Sequence, residues 1–315
     1  MRRYVWILLC CAVPAALAGL FWPIVGITLC HGDRYSQQSY LAYCESTGYG
    51  DYEHAALWFD LEPEAVANLQ RAEVLVIGDS RTQVAFSTAA TRAFAAASGW
   101  RFYLLGFGYN EDSAFPKVLF NRYQLRPRAV IINADPFFTA KGSDASSRLL
   151  SGTDLVTDYV RLRIKRWAQD LQRAVCRGTA LSRYACGGGD RTIYRSRIDG
   201  GWDTTWWKLE RTFPLPAEPP RYGVSVAELI AAGDDFVASL GVDRRCVLFT
   251  VTPSNFSASA VTREVAQALG VQAIVPAVNN LTTYDHSHLN EASAERWSAA
   301  FFALAEPFIR ACVQR

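Results

Sequence analysis

The run Glu73-Val-Leu-Val-Ile-Gly78 constrains this chain more than any other stretch. Its apolar residues are consecutive, not alternating, so a strand built from them hides both faces, as the strands of a parallel sheet do. It ends in Gly78-Asp79-Ser80, and an Ala-rich helical stretch follows from Val84 to Ser98. Similar runs occur at Trp100–Leu105, ending in Gly106-Phe-Gly108, and at Ala129–Ile132. Two more are Arg245–Val251, ending at Thr252-Pro253-Ser254-Asn255, and the shorter Val271–Val275. Helical stretches at Glu62–Arg71, Ser113–Tyr123 and Glu291–Cys312 alternate with or follow them. Strands alternating with helices predict an α/β fold, a three-layer α/β/α parallel sheet with its site at the carboxyl ends of the strands.

The N-terminus constrains location. After Arg2 and Arg3 the chain runs from Tyr4 to Cys30 without a charge, long enough to cross a hydrocarbon core of about 30 Å. Basic residues before the run place Met1 in the cytoplasm and the rest outside, in the periplasm or its equivalent. Ala16-Leu17-Ala18 before Gly19 resembles a cleavage site, but the apolar run continues through Phe21-Trp22-Pro23-Ile24-Val25. A signal h-region is shorter than this, so an uncleaved transmembrane anchor is expected. Of the eight cysteines, Cys10 and Cys11 fall within that anchor. Proximity pairs the other six as Cys30–Cys44, Cys176–Cys186 and Cys246–Cys312, which requires an oxidising compartment. No C-x-x-C spacing occurs and only four histidines are present, so neither a metal nor a cofactor is implied.

The expected division is an anchor over 1–30, a juxtamembrane segment over 31–70, and a main domain over 71–315 with an insertion at about 140–225. The insertion is too long for a simple crossover. It contains Trp202, Trp206 and Trp207, which read as a sugar-stacking platform or as core. It also contains Arg161-Leu-Arg-Ile-Lys-Arg166, read as an amphipathic helix with a solvated basic face. A net charge of +2 without a basic run argues against a nucleic-acid partner.

A serine in the turn between a strand and a helix exposes its hydroxyl, and its backbone N–H points where an acyl oxygen would lie. Gly78-Asp79-Ser80 alone reads equally well as a helix cap. The loop Tyr284-Asp285-His286-Ser287-His288-Leu289-Asn290, just before the last helix, changes that balance. Serine needs an imidazole to take its proton and a carboxylate to orient the imidazole. Asp285 and His288 supply both from one loop, with His286 on the poorer spacing.

Gly-Asp-Ser at the start of the domain and Asp-x-x-His-Leu at its end resemble two blocks of the SGNH, or GDSL-like, hydrolase superfamily. The resemblance covers roughly residues 72–310. It implies a flavodoxin-like three-layer sheet and acyl transfer from an ester to water or another hydroxyl. Ser80 would be the nucleophile, His288 the base and Asp285 its orienting residue. The oxyanion donors implied are the N–H groups of Ser80 and Gly108, with Asn110 as a rival at that corner, and the Asn133 side chain. Asn133-Ala-Asp-Pro-Phe137 departs from the family's Gly-x-Asn-Asp, and Arg81 replaces a leucine. Arg81, Asn110, Asp135 and Asn255 are the candidate substrate contacts, Arg81 either binding an anionic substrate or facing solvent.

The location and the resemblance together suggest an esterase or O-acyltransferase on acyl, above all acetyl, esters of envelope glycans. A transferase would need a multispan membrane partner to bring the acyl donor. The competing readings are a lipase or thioesterase acting on lipid-like esters, and a catalytically silent assembly module.

Overall fold

The computed structural model describes residues 4, 6–7, 10–14, 16, 36–44, 50–108, 111–135, 137–139, 142–178, 192–204, 210–216 and 225–315. The first half runs β1 (Ser39–Cys44), β2 (Gly50–Asp51), α1 (Glu53–Trp58), α2 (Pro63–Gln70), β3 (Val74–Gly78), α3 (Ser80–Phe86), α4 (Ala89–Ser98), β4 (Phe102–Gly106), α5 (Ala114–Tyr123) and β5 (Ala129–Asn133). Then follow α6 (Asp144–Leu150), α7 (Leu155–Gly178), β6 (Thr192–Ser196), β7 (Trp202–Asp203) and β8 (Phe213–Pro214). The chain closes with α8 (Val226–Ser239), β9 (Val247–Thr250), α9 (Ser259–Leu269), β10 (Gln272–Ala273), β11 (Thr282–Thr283) and α10 (Glu291–Val313).

Five parallel strands form the main sheet in the order β10-β9-β5-β3-β4. Alternate residues of each strand enter different cores. Leu75, Ile77, Val130, Ile132 and Phe249 pack under α2, α5, α8 and α9. Val74, Val76, Ile131 and Leu248 pack under α3 and α10. Both faces are dry, which is why these strands read as unbroken apolar runs. The helical stretch expected over 84–98 is two helices: Thr88 leaves helical geometry and caps α4 by accepting the Thr91 N–H.

A second, antiparallel sheet was not anticipated. Its order is β2-β1-β6-β7, pairing Ser39–Cys44 with Thr192–Ser196 across about 150 residues of chain. Strands from the segment before residue 71 and from the insertion therefore share one sheet. Fully buried Arg195 joins it to the main sheet, donating to the Leu104 and Gly106 carbonyls and pairing with Glu53 at 2.9 Å.

Cys246 and Cys312 are bonded as expected, tying α10 to the start of β9. Cys44 is also disulfide-bonded. Cys30 and Cys186 lie outside the described residues, as does the Cys176 side chain. The Cys246–Cys312 link closes a loop of 66 residues. Replacing both cysteines with alanine should cost about 4 kcal/mol on the chain-entropy account, read as a lower urea midpoint. An unchanged midpoint would show that α10 docks without it.

Most of the expected membrane span lies outside the described residues. Those described, including Tyr4, Trp6 and Ile7, are helical and exposed. Among the described residues no helix is long and apolar enough to cross a membrane.

Candidate active site

β3 ends at Gly78, where only glycine fits: a Cβ there would overlap Thr82 Oγ1 and approach Asn133 Cβ to 3.0 Å. Asp79 then caps α3, its Oδ1 accepting the N–H groups of Arg81 and Thr82. Ser80 is the first residue of the helix. Phe86, at the far end of that short helix, meets Trp297 and Phe301 edge-on at 5.2 Å each. The helix carrying Ser80 is thereby locked against the helix that follows His288.

The 284–288 loop is closed by a Tyr284 N–H to His288 carbonyl bond of 2.9 Å. Asp285 Oδ1 accepts the N–H groups of Ser287 at 3.0 Å and His288 at 2.8 Å. Asn290 caps α10 and donates to Thr282 Oγ1, fixing the far side of the loop. Held this way, His288 Nδ1 lies 2.8 Å from Asp285 Oδ2 and its Nε2 lies 2.8 Å from Ser80 Oγ. The Tyr284 ring stacks on the imidazole at 5.6 Å.

Burial alone would raise the Asp285 carboxyl. The His288 side chain and the two backbone N–H groups outweigh it and hold the group below the ordinary carboxylate range. An ionised Asp285 can only accept, so Nδ1 carries the proton and the Nε2 lone pair faces the Ser80 hydroxyl. That is the tautomer a general base on serine requires. His286 points elsewhere, packing on Phe213 at 4.1 Å and meeting the Asn255 side chain through Nδ1. Asn255, half-buried, shapes this rim.

The expected oxyanion donors divide. The Asp79 carboxylate takes the Arg81 and Thr82 N–H groups and leaves that of Ser80 free among the described residues. Asn133 Oδ1 accepts the Thr252 N–H at 2.9 Å, leaving its Nδ2 without a partner among them. Gly108 is corrected: its N–H is taken by Glu53 Oε1 at 2.9 Å. Asn110 lies outside the described residues.

Two expected substrate contacts are also corrected. Arg81 is only 6 % exposed, so it does not face solvent, and its donors are directed at protein groups. Its guanidinium grips Asp79 Oδ2 through Nε at 2.9 Å and Nη2 at 2.7 Å, then reaches the Asp135 carbonyl and Ser254 Oγ. Asp135 is equally enclosed, its Oδ1 accepting the Ala258 N–H. The two residues bind the nucleophile's turn to the ends of β5 and β9. Trp202 is no sugar platform either, being buried with its indole N–H on Glu53 Oε2. Trp206 and Trp207 are outside the described residues.

Burial lifts the Asp135 carboxyl from 3.8 to about 7; Arg81 and the Ala258 N–H pull it down, and Asp79 adds to the rise. Between those two pH values the folded chain holds a proton that the unfolded chain has released. Stability from this group therefore falls as the pH rises through that window. Asp135→Asn should leave the denaturation midpoint unchanged near pH 4, and raise stability by on the order of 3 kcal/mol at pH 8. A gain independent of pH, or a loss at pH 8, would contradict this account.

A second serine, histidine and carboxylate lie together at the other end of the β4 loop. Ser143 and Ser146 both donate to Glu111, which also meets His54. All four are buried. His54 Nε2 lies 3.5 Å from Ser143 Oγ, but that hydroxyl donates to Glu111 at 2.6 Å, so the serines are spent on the carboxylate and the group reads as a structural knot. Among the described residues no three His, Cys, Asp or Glu side chains are placed to hold a metal ion.

No protein-family model, characterised protein or solved structure matches the chain. Its chemistry must be argued from the site itself. Sequence reasoning missed Glu53, Arg195 and Tyr284. Glu53 lies 55 residues from the Gly108 it holds, and no local pattern marks such a pairing.

Proposed function

We propose that this chain is an SGNH-type serine esterase or O-acyltransferase, anchored in a membrane with its site on the extracytoplasmic side, acting on acetyl or similar esters of envelope glycans. One observation carries the reading: the continuous line from Ser80 Oγ through His288 to Asp285, with both contacts at 2.8 Å. The sheet adds support. Numbered by its own strands, its order is 2-1-3-4-5, the flavodoxin-like arrangement, in which ligands bind where the order reverses. Ser80 follows the first of these strands, and Asn133 ends the third, its neighbour across the reversal.

In the reaction, Ser80 Oγ attacks the ester carbonyl as its proton passes to His288 Nε2. The oxyanion is met by the Ser80 N–H and Asn133 Nδ2. The C–O bond to the sugar then breaks, and His288 returns the proton to the departing oxygen. Water or an acceptor hydroxyl attacks the acyl-serine, again giving its proton to His288, and Ser80 leaves as the free hydroxyl. Asp285 stays ionised throughout and holds the imidazolium. The uncharged run from Tyr4 to Cys30 fits an anchor, and the Cys246–Cys312 disulfide fits an oxidising compartment. A transferase would draw its acyl group through a multispan membrane partner.

A series of aryl esters of rising chain length, run beside an O-acetylated oligosaccharide, separates the readings. Highest kcat/KM on acetyl, with release of acetate from the oligosaccharide, is the expected result. Rates that climb with chain length would favour a lipase or thioesterase.

A further inference from the structure

One edge of the candidate site carries a histidine and a phenylalanine that the triad does not use. His286 is exposed, yet its backbone lies in the left-handed region at φ 72°, which costs energy for any residue but glycine. Three contacts hold it there. The Asn255 N–H donates to the His286 carbonyl at 3.0 Å, the Asn255 Nδ2 meets His286 Nδ1 at 3.2 Å, and Phe213 packs on the ring. An amide nitrogen can only donate, so Nδ1 accepts and the imidazole proton sits on Nε2. That N–H has no partner among the described residues. Next to Asn255, Phe256 is 53 % exposed in a tightly bonded turn. Ser257 Oγ accepts the Ser254 N–H at 2.9 Å and donates to the Ser254 carbonyl at 3.0 Å, and Ser254 Oγ accepts the Phe256 N–H at 3.1 Å. Arg81 grips Ser254 Oγ and Asp135 takes the Ala258 N–H, so both ends of the turn are fixed beneath the nucleophile.

We propose that His286 and Phe256 form the sugar subsite: the pyranose ring bearing the ester lies against Phe256, and one of its oxygens accepts the His286 Nε2–H. The proposal rests on the ester-cleaving reading of Ser80 and names what the site holds beside the acyl bond. Neither residue belongs to a hydrophobic core, so the fold gives no reason to fix them. A strained, exposed donor held by three contacts is instead what a preorganised binding group looks like. A sugar complements both groups, offering C–H faces to an aromatic ring and hydroxyls to a placed donor. An acyl chain asks for enclosing apolar walls, whereas Phe256 is flanked by the polar residues Asn255 and Ser257. The location agrees. Ser254 is tied to Arg81, the residue after the nucleophile, and His286 is two residues from the base that meets Ser80. A ring seated on this edge therefore adjoins the serine. Asn255 acts through the imidazole, as the positioning residue that sets its tautomer and its direction.

The test uses the full chain in detergent and two acetyl esters: O-acetylated chitotetraose, and ethyl acetate, which has neither a sugar nor an aromatic ring. Phe256→Ala and His286→Asn are the variants, asparagine being chosen because it tolerates the left-handed backbone. Each should raise KM for the acetylated chitotetraose about tenfold, the loss of one stacking or hydrogen-bonding contact. The expected signature is a split, with kcat on that sugar and kcat/KM on ethyl acetate changing by less than about threefold. Unchanged KM on the sugar, or equal losses on both esters, would overturn the subsite while leaving the esterase reading intact. A Phe256→Ala loss seen on ethyl octanoate but not on the sugar would give this edge to the acyl chain and overturn it too. A chain that cleaves neither ester sinks the esterase reading instead. The subsite is then judged by NMR titration of the Ser80→Ala chain with the acetylated chitotetraose. Binding weakened about tenfold by Phe256→Ala or His286→Asn upholds it, and binding that is absent or indifferent to both overturns it.

Discussion

Replacing His288 with alanine should lower ester turnover at least ~10⁴-fold while leaving the denaturation midpoint nearly unchanged. The imidazole touches both Ser80 and Asp285, so its loss removes the base and the link to the carboxylate together. Its side chain is 15 % exposed and fills no core, so little stability goes with it. Asp285→Asn is the sharper variant. An amide in that place can donate to Nδ1, which favours the tautomer with its proton on Nε2 and turns the base away from serine. Its expected loss is also about 10⁴ in kcat. Equal losses in His286→Ala would undo the assignment, since that ring faces Phe213 and Asn255.

Arg81→Met should cost about 3–5 kcal/mol, because it strands a buried carboxylate beneath the nucleophile. For a chain of this size that is roughly a 10 °C fall in Tm. The guanidinium alone bridges Asp79, the Asp135 carbonyl and Ser254, and methionine replaces none of those bonds. Arg81→Lys should recover only part of the loss, since an ammonium cannot match a planar fork on three partners. The two readings of Arg81 separate cleanly here. A substrate-binding arginine would show a raised KM at unchanged stability, whereas a buried clamp shows a fallen Tm with kcat lowered in proportion to the disturbed turn.

Four of the central strands, β3, β4, β5 and β9, were legible because each hides both faces, whereas β10, exposed at Gln272, left only a short run. The Ser80, His288 and Asp285 constellation was legible because its parts lie at the ends of elements whose order could be read. Gly108 was a reasonable oxyanion donor by position. What spends its N–H is Glu53, placed there by a sheet whose halves are Ser39–Cys44 and Thr192–Ser196. Nothing local in either half announces the other. Arg81 was misjudged for a related reason: a cation next to a serine says nothing of whether Asp79 and Asp135 fold around it. The amphipathic character of α7 was evident, but which side faces water is decided by Arg148 and Glu62, both outside the helix.

The central claim is that Ser80 is an activated nucleophile, and a serine-directed fluorophosphonate tests it most directly. Purified full-length protein, treated and digested, should carry one adduct on the peptide containing Ser80, and Ser80→Ala should carry none. The His288→Ala chain should label far more slowly than the unaltered one. A wild-type chain that takes up no label, or a Ser80→Ala chain labelled as well as the wild type, would contradict the account and leave a triad-shaped scaffold without the chemistry.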